Sequence, residues 1–95
     1  MSENTFVNFS VLISGKVQGV FFRSTMKRIA DEAGVKGWVR NTTDGKVEAL
    51  LQGKADSVER VIEWCSRGPE RATVEEVKVK EEKLFETFRN FAILY

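Results

Sequence analysis

The fold is decided in residues 6–34, FVNFSVLISGKVQGVFFRSTMKRIADEAG, where the spacing of the apolar side chains changes. In Phe6–Ser14 apolar and polar residues alternate, which predicts a strand that is buried on one face. From Phe22 the apolar residues recur every three or four positions, which predicts a helix that ends at Gly34. The predicted inward residues are Val7, Phe9, Val11 and Ile13 of the strand and Phe22, Met26, Ile29, Ala30 and Ala33 of the helix. Residues 15–23, GKVQGVFFR, therefore connect a strand to a helix.

A hairpin follows this first helix. Val35–Asn41 predicts a second strand and residues 46–53 predict a third. Between them, Thr42–Gly45 contains an Asp-Gly pair, which is typical of a tight hairpin turn.

A second helix and two more strands complete the chain. The helix is predicted with Asp56 as its N-cap and Glu59 completing a capping box, and with Gly68-Pro69 beyond its end. Its inward face has helical spacing. Residues 73–80 predict a strand, a charged loop follows, and residues 88–95 predict the final strand. The inward residues are Val58, Val61, Ile62 and Cys65 of the helix and Val77 and Val79 of the strand.

The order β-α-β-β-α-β with an extra C-terminal strand predicts an α+β fold, the ferredoxin-like sandwich. In this arrangement an antiparallel sheet carries both helices on one face, and residues 1–95 form a single domain. The third strand lies between the first and the second, which run parallel. Their C-terminal ends share one edge, about 10 Å apart at ~4.8 Å per strand. We therefore expect the loop at residues 15–23 to face Asn41.

Composition excludes several classes of function. The 15 basic and 14 acidic residues give a net charge of +1, which disfavours a nucleic-acid surface. Residues 1–8 do not resemble a signal peptide, and no apolar run approaches the ~18 residues of a membrane span. Cys65 is the only cysteine, so an internal disulfide is excluded. We expect a cytoplasmic monomer that binds neither nucleic acid nor membrane.

The connection at residues 15–23 has the elements of a phosphate site. It leads into a helix N-terminus, where backbone N–H groups lack intrahelical partners and the helix dipole is positive. Gly19 allows close approach of the backbone to a ligand, and the guanidinium of Arg23 can bind two phosphate oxygens. A simple glycine turn with a solvated arginine fits the same residues. Phe21 and Phe22 are interpreted as packing residues.

Asn41 and the lack of histidine restrict the chemistry. The chain contains no histidine, so the commonest general base and metal ligand is missing. Asn41 is not a base at neutral pH, so it could only orient a water, or else cap the turn that follows it. An acyl phosphate releases a carboxylate whose conjugate acid has a pKa of roughly 4. Such a leaving group needs neither an acid nor a metal, which favours an acyl phosphate as substrate.

Several blocks of the sequence resemble one known family. GKVQGVFFR resembles the acylphosphatase signature, Gly-x-Val-Gln-Gly-Val-x-Phe-Arg, at every fixed position. Residues 37–48, GWVRNTTDGKVE, resemble the second block of the family. Gly68-Pro69 and the F-x-I-x-Y pattern of residues 91–95 also fit. Many members carry an arginine where this chain has Leu94, which lies outside the two catalytic blocks.

The resemblance implies a ferredoxin-like sandwich that hydrolyses the carboxyl–phosphate bond without a metal or a cofactor. It implies that Arg23 binds the phosphate and that Asn41 holds the attacking water. The substrate would be a small acyl phosphate, and inorganic phosphate would be a product. The backbone amides implied to bind the phosphate are those of Gln18, Gly19, Val20, Phe21 and Phe22.

Parts of the sequence also fit two other functions. Cys65 and Arg71 have the spacing of a cysteine-dependent phosphatase loop, but Cys65 lies on the apolar face of a predicted helix and Pro69 would remove an amide donor. Ferredoxin-like sheets also bind RNA through exposed aromatic residues. The third strand has none, and Trp38 is interpreted as a packing residue.

Overall fold

The computed structural model describes residues 5–83 and 86–95. Its elements follow the predicted order, β-α-β-β-α-β and then a short strand. Residues 84 and 85 of the predicted charged loop, and residues 1–4, lie outside the described residues. The strands are β1 (Phe6–Lys16), β2 (Lys36–Asn41), β3 (Val47–Lys54), β4 (Thr73–Glu81) and β5 (Phe91–Leu94), and the helices are α1 (Phe22–Ala33) and α2 (Ala55–Cys65).

The strands form one sheet in the order β4-β1-β3-β2-β5. As predicted, β3 lies between β1 and β2 and is antiparallel to both, so β1 and β2 are parallel. β4 pairs antiparallel with β1, whereas β5 pairs parallel with β2. The antiparallel sheet is therefore confirmed for four strands, and β5 makes it mixed. The C-terminal ends of β1, β2 and β5 consequently lie at the same edge.

Both helices cover one face of this sheet. α1 packs on α2, β2 and β5, and α2 packs on β1 and β3. The apolar stripes predicted for the helices face the sheet, with Met26, Ala30, Val58 and Val61 fully buried. The ring of Phe22 packs against Trp64 with ring centroids 5.1 Å apart, which anchors the first turn of α1 on α2. In the described part of the chain neither helix is long and apolar enough to cross a membrane.

The predicted cap of α2 is wrong. The helix begins at Ala55, and Lys54 occupies the N-cap in an extended conformation without a side-chain cap. The backbone amide of Ala55 donates to the Thr5 carbonyl at 2.8 Å. A residue distant in sequence therefore meets the first free amide. Asp56 is the second residue of the helix, and its carboxylate accepts from the Ser57 amide at 2.9 Å.

Val79 of β4 faces inward as predicted, but it is not buried. Val77 and Val79 pair with Ile13 and Val11 in register, so both point toward the helical face of the sheet. Val77 packs against the core, but Val79 remains 43% exposed. β4 is an edge strand and the helices pack on the other four strands, so the outer part of this face is left uncovered.

Candidate active site

A cleft of about 270 Å³ opens where β1, β2 and β5 end and α1 begins. Arg23 and Asn41, predicted from separate segments, both line it. It is therefore the place where the predicted phosphate-binding loop meets the end of the second strand. The lining residues are Val17, Gly19, Phe21, Phe22, Arg23, Ser24, Asn41, Ile93 and Tyr95.

The loop before α1 has an unusual backbone. Gly19 has φ of 74° and Phe21 has φ of 65°, and Phe21 is the only non-glycine residue with positive φ in the described ranges. A bulky residue in the left-handed region is strained. The buried side chains of Val20 and Phe22 on either side anchor the loop in the core and so offset this cost. Left-handed residues beside right-handed ones direct successive N–H groups into one concavity, which is an anion-binding geometry.

The backbone amides at this helix N-terminus are free. α1 has no side-chain cap and no acidic residue in its first turn. Its first intrahelical bond runs from the Thr25 amide to the Phe21 carbonyl, at 3.1 Å. Among the described residues, none accepts a hydrogen bond from the amides of Gly19 to Ser24. The positive end of the helix dipole therefore has no counter-charge in the first turn of α1.

Gln18 holds the loop against the β2–β3 hairpin. Its side-chain Nε2 donates to the carbonyls of Thr42 and Lys46, each at 2.8 Å. These two carbonyls flank the turn that begins next to Asn41. The sequence predicted a role for the Gln18 backbone only, and it gave no signal for this side-chain contact, because the two partners are distant in sequence.

β5 positions Arg23. Nη1 of Arg23 approaches the Leu94 carbonyl at 3.5 Å, and its guanidinium carbon lies 5.0 Å from the centre of the Tyr95 ring. One turn later, Lys27 Nζ donates to the Phe91 carbonyl at 2.9 Å. No carboxylate of the described residues pairs with Arg23, so its charge is available for a ligand. The sequence identified Ile93 and Tyr95 only as part of the F-x-I-x-Y pattern and did not predict that they line the cleft. Their place there depends on the parallel pairing of β5 with β2.

Asn41 is the last residue of β2 and pairs with Val47 across the hairpin. Its side chain is half-buried and makes no hydrogen bond to another described residue. Both the amide and the carbonyl of this side chain can therefore interact with a molecule in the cleft.

The two adjacent phenylalanines differ in their environment. Phe22 is 2% exposed, as predicted for a packing residue, but Phe21 is 73% exposed. The interpretation of Phe21 as a packing residue is therefore wrong. Its left-handed backbone interrupts the helical spacing, so its ring points outward while the ring of Phe22 points inward.

The geometry does not support the cysteine-dependent alternative. Cys65 is the last residue of α2 and is fully buried in the core. This burial raises the pKa of its thiol to about 12, so the nucleophilic thiolate is not formed near neutral pH.

The RNA-binding alternative had one candidate aromatic residue, Trp38. Its side chain is half-buried, and the guanidinium of Arg40 lies 5.7 Å from its ring centre.

Comparisons with known proteins identify the family of this chain. The acylphosphatase family model matches residues 9–93. The acylphosphatase of Pyrobaculum aerophilum is 54% identical over 85 residues, which are 88% of this chain and 90% of that protein. An acylphosphatase structure from Coxiella burnetii has a TM-score of 0.89 at 37% identity, covering 94% of this chain and 93% of that one. The acylphosphatase structure from Bacillus subtilis has a TM-score of 0.90 at 31% identity, covering 96% and 100%. This chain therefore belongs to the acylphosphatase family, whose members hydrolyse acyl phosphates.

Proposed function

We propose that the cleft binds the phosphoryl group of an acyl phosphate and that its residues have separate roles in the hydrolysis. Arg23 and the backbone amides of Gln18 to Phe22 hold the phosphoryl oxygens, and Asn41 orients the attacking water. The observation that carries the proposal is that three groups open into one cleft: a guanidinium and a carboxamide that pair with no carboxylate of the described residues, and a helix N-terminus without a side-chain cap.

The reaction needs charge stabilisation more than proton transfer. The water oxygen attacks phosphorus, the bond between phosphorus and the acyl oxygen breaks, and the carboxylate leaves with the bonding electrons. One proton of the water stays on the phosphate and the other passes to solvent. Because the conjugate acid of the leaving carboxylate has a pKa of roughly 4, no general acid is required. The guanidinium and the amides stabilise the charge on the three equatorial oxygens.

The proposal includes hydrolysis without a metal, by a single domain that acts as a monomer in the cytoplasm. The guanidinium and the helix N-terminus already supply positive charge where a metal would act. Within residues 5–83 and 86–95, no group of three or more His, Cys, Asp or Glu residues is placed to hold a metal ion. The unpaired Cys65 supports a reducing compartment. A chelator is expected to leave kcat unchanged.

The test separates phosphate binding from turnover. In Arg23→Ala we expect kcat/KM to fall by roughly a thousandfold, because a charged donor to the transferring phosphoryl group is lost. Competitive inhibition by inorganic phosphate should be lost as well. In Asn41→Ala we expect kcat to fall about a hundredfold through misplacement of the water, with phosphate inhibition largely kept.

Arg28→Ala is the matched control. Arg28 is on the same helix and forms an exposed ion pair with Glu32 at 3.2 Å, but it does not line the cleft, so its kinetics should match the wild type. If Arg23→Ala and Asn41→Ala both hydrolyse an acyl phosphate at the wild-type rate, the assignment of these roles is wrong.

A further inference from the structure

We propose that Phe21 and Tyr95, the aromatic pair, select the acyl group of the substrate and favour apolar acyl groups, above all aromatic ones. This inference rests on the phosphate-binding mode proposed above, since it takes the position of the acyl group from that of the phosphate. The aromatic pair makes no contribution to the phosphoryl chemistry through its side chains. Its role is specificity.

The first observation is where the exposed apolar surface lies. Five large hydrophobic side chains of the described residues are exposed, and the aromatic pair has the highest exposed fractions, 73% for Phe21 and 101% for Tyr95. Both rings line the active-site cleft. A single exposed apolar side chain is ordinary, but two exposed aromatic rings at the mouth of a substrate cleft indicate a recognition surface. The other three are Phe6, Val79 and Leu94.

The second observation is how the backbone presents Phe21. Its φ of 65° is the only left-handed value at a non-glycine position in the described ranges. The flanking side chains of Val20 and Phe22 are both buried, so the loop is anchored and the Phe21 ring is held outside the core. A strained backbone that keeps an apolar ring in water is costly for folding, and contact with a substrate gives this arrangement a function.

The third observation links the pair to the phosphate site. The guanidinium carbon of Arg23 lies 5.0 Å from the centre of the Tyr95 ring, which places that ring beside the group proposed to bind phosphate. The amide of Phe21 belongs to the same site. An acyl group is joined to the phosphorus through a single oxygen, so it lies close to the phosphate, in a cleft that these two side chains line.

There is room for a large acyl group at this place. Phe21 also lines a neighbouring cleft of about 450 Å³, together with Val20, Thr25, Pro69, Glu70 and Arg71. The ring thus stands between two open spaces. A flat aryl group can stack on Phe21 or Tyr95, whereas a methyl group in the same position covers little of either ring.

The test compares two substrates that differ only in the acyl group, benzoyl phosphate and acetyl phosphate. The readout is the ratio of their kcat/KM values, because any loss common to both substrates cancels. We expect Phe21→Asn to lower this ratio about tenfold, as for the loss of apolar contact in a binding pocket. Asparagine tolerates the left-handed backbone. Tyr95→Ser should lower the ratio several-fold, and Phe21→Tyr should retain it because the ring is kept.

Phe6→Asn is the matched control, because Phe6 is 69% exposed and lies at the opposite end of β1. Its ratio should equal that of the wild type. An unchanged ratio in both Phe21→Asn and Tyr95→Ser would overturn the inference, even if both substrates were turned over more slowly. A loss of inhibition by inorganic phosphate that matches the kinetic loss would also overturn it, since the variants would then act on the phosphate site.

The two proposals fail in different ways. A wild-type rate in Arg23→Ala contradicts the proposed phosphate site. A loss of activity in Arg23→Ala, together with an unchanged substrate ratio in the aromatic variants, contradicts only the selection of the acyl group.

Discussion

The two helices pack on the same sheet, yet their N-termini are in opposite states. α1 begins after a left-handed residue, has no acidic side chain in its first turn and leaves its first amides without a partner in the described residues. α2 begins directly after β3, its first amide donates to the Thr5 carbonyl, and its first turn contains Asp56. Both carry a positive dipole end. A helix N-terminus is thus available to a ligand only where the fold has not already filled it.

The difference arises in the segments before the helices. Lys54 is extended and joins β3 to α2 without a loop. The N-terminus of α2 therefore lies against another segment of the chain, at Thr5. Gly19 and Phe21 turn the chain before α1, and Gln18 fixes that loop on the hairpin. The same type of helix end therefore keeps its first amides open in α1, whereas in α2 the first amide already has a partner.

The largest difference between the two helix N-termini is expected when a carboxylate is placed at the third residue of each helix. Ser24→Asp puts a negative charge in the cleft, where Ser24 lies, and should lower kcat/KM for an acyl phosphate about a hundredfold by repelling the phosphoryl dianion. Ser57→Asp is the same change at the equivalent position of α2 and should leave kcat/KM unchanged. Both variants should keep wild-type stability or gain about 0.3–1 kcal/mol, measured by chemical denaturation.

Equal kinetics for the two aspartate variants would contradict the view that only α1 binds the substrate. Inhibition by inorganic phosphate should weaken in Ser24→Asp and not in Ser57→Asp, which distinguishes repulsion of the phosphate from a general loss of structure.

A second pair tests the loop that precedes α1. Gly19 and Gly34 have φ of 74° and 76°, and a Cβ at either position would meet no atom within 4 Å. Alanine should therefore cost about 1–2 kcal/mol of stability at both positions, from the left-handed backbone alone. Only Gly19→Ala should also weaken phosphate inhibition, by about tenfold, because its Cβ enters the concavity that holds the anion. Urea unfolding and inhibition kinetics measure the two effects, and an equal loss of inhibition in Gly34→Ala would contradict this role of Gly19.

The smallest effect is expected at the filled helix end. Asp56→Asn removes the negative charge from the first turn of α2 but keeps an acceptor for the Ser57 amide. We expect a loss of about 0.5 kcal/mol in the free energy of unfolding at low salt, which shrinks at high salt because the charge interaction is screened. The kinetics should not change. A salt-independent loss would show that Asp56 acts through its hydrogen bond rather than its charge.

The meeting of Arg23 and Asn41 in one cleft could be predicted, because local patterns and the topology determine it. The change of apolar spacing marks the end of β1 and the start of α1, and the crossover rule places Asn41 opposite that loop. Phe22 was predicted as a packing residue for the same reason, since its position follows the helical spacing. The exposure of the Phe21 ring was not predicted, because a single left-handed residue leaves no trace in a hydrophobic pattern.

The sequence by itself determined the order of elements, the α+β class and the residues that could bind an anion, because these depend on short-range spacing and on side-chain chemistry. Only the tertiary structure decided which helix end stays free, since that depends on contacts such as Thr5 with Ala55. It also decided that β5 pairs parallel with β2 and brings Tyr95 beside Arg23. Such long-range partners are chosen by the packing of the whole chain, and no local pattern specifies them.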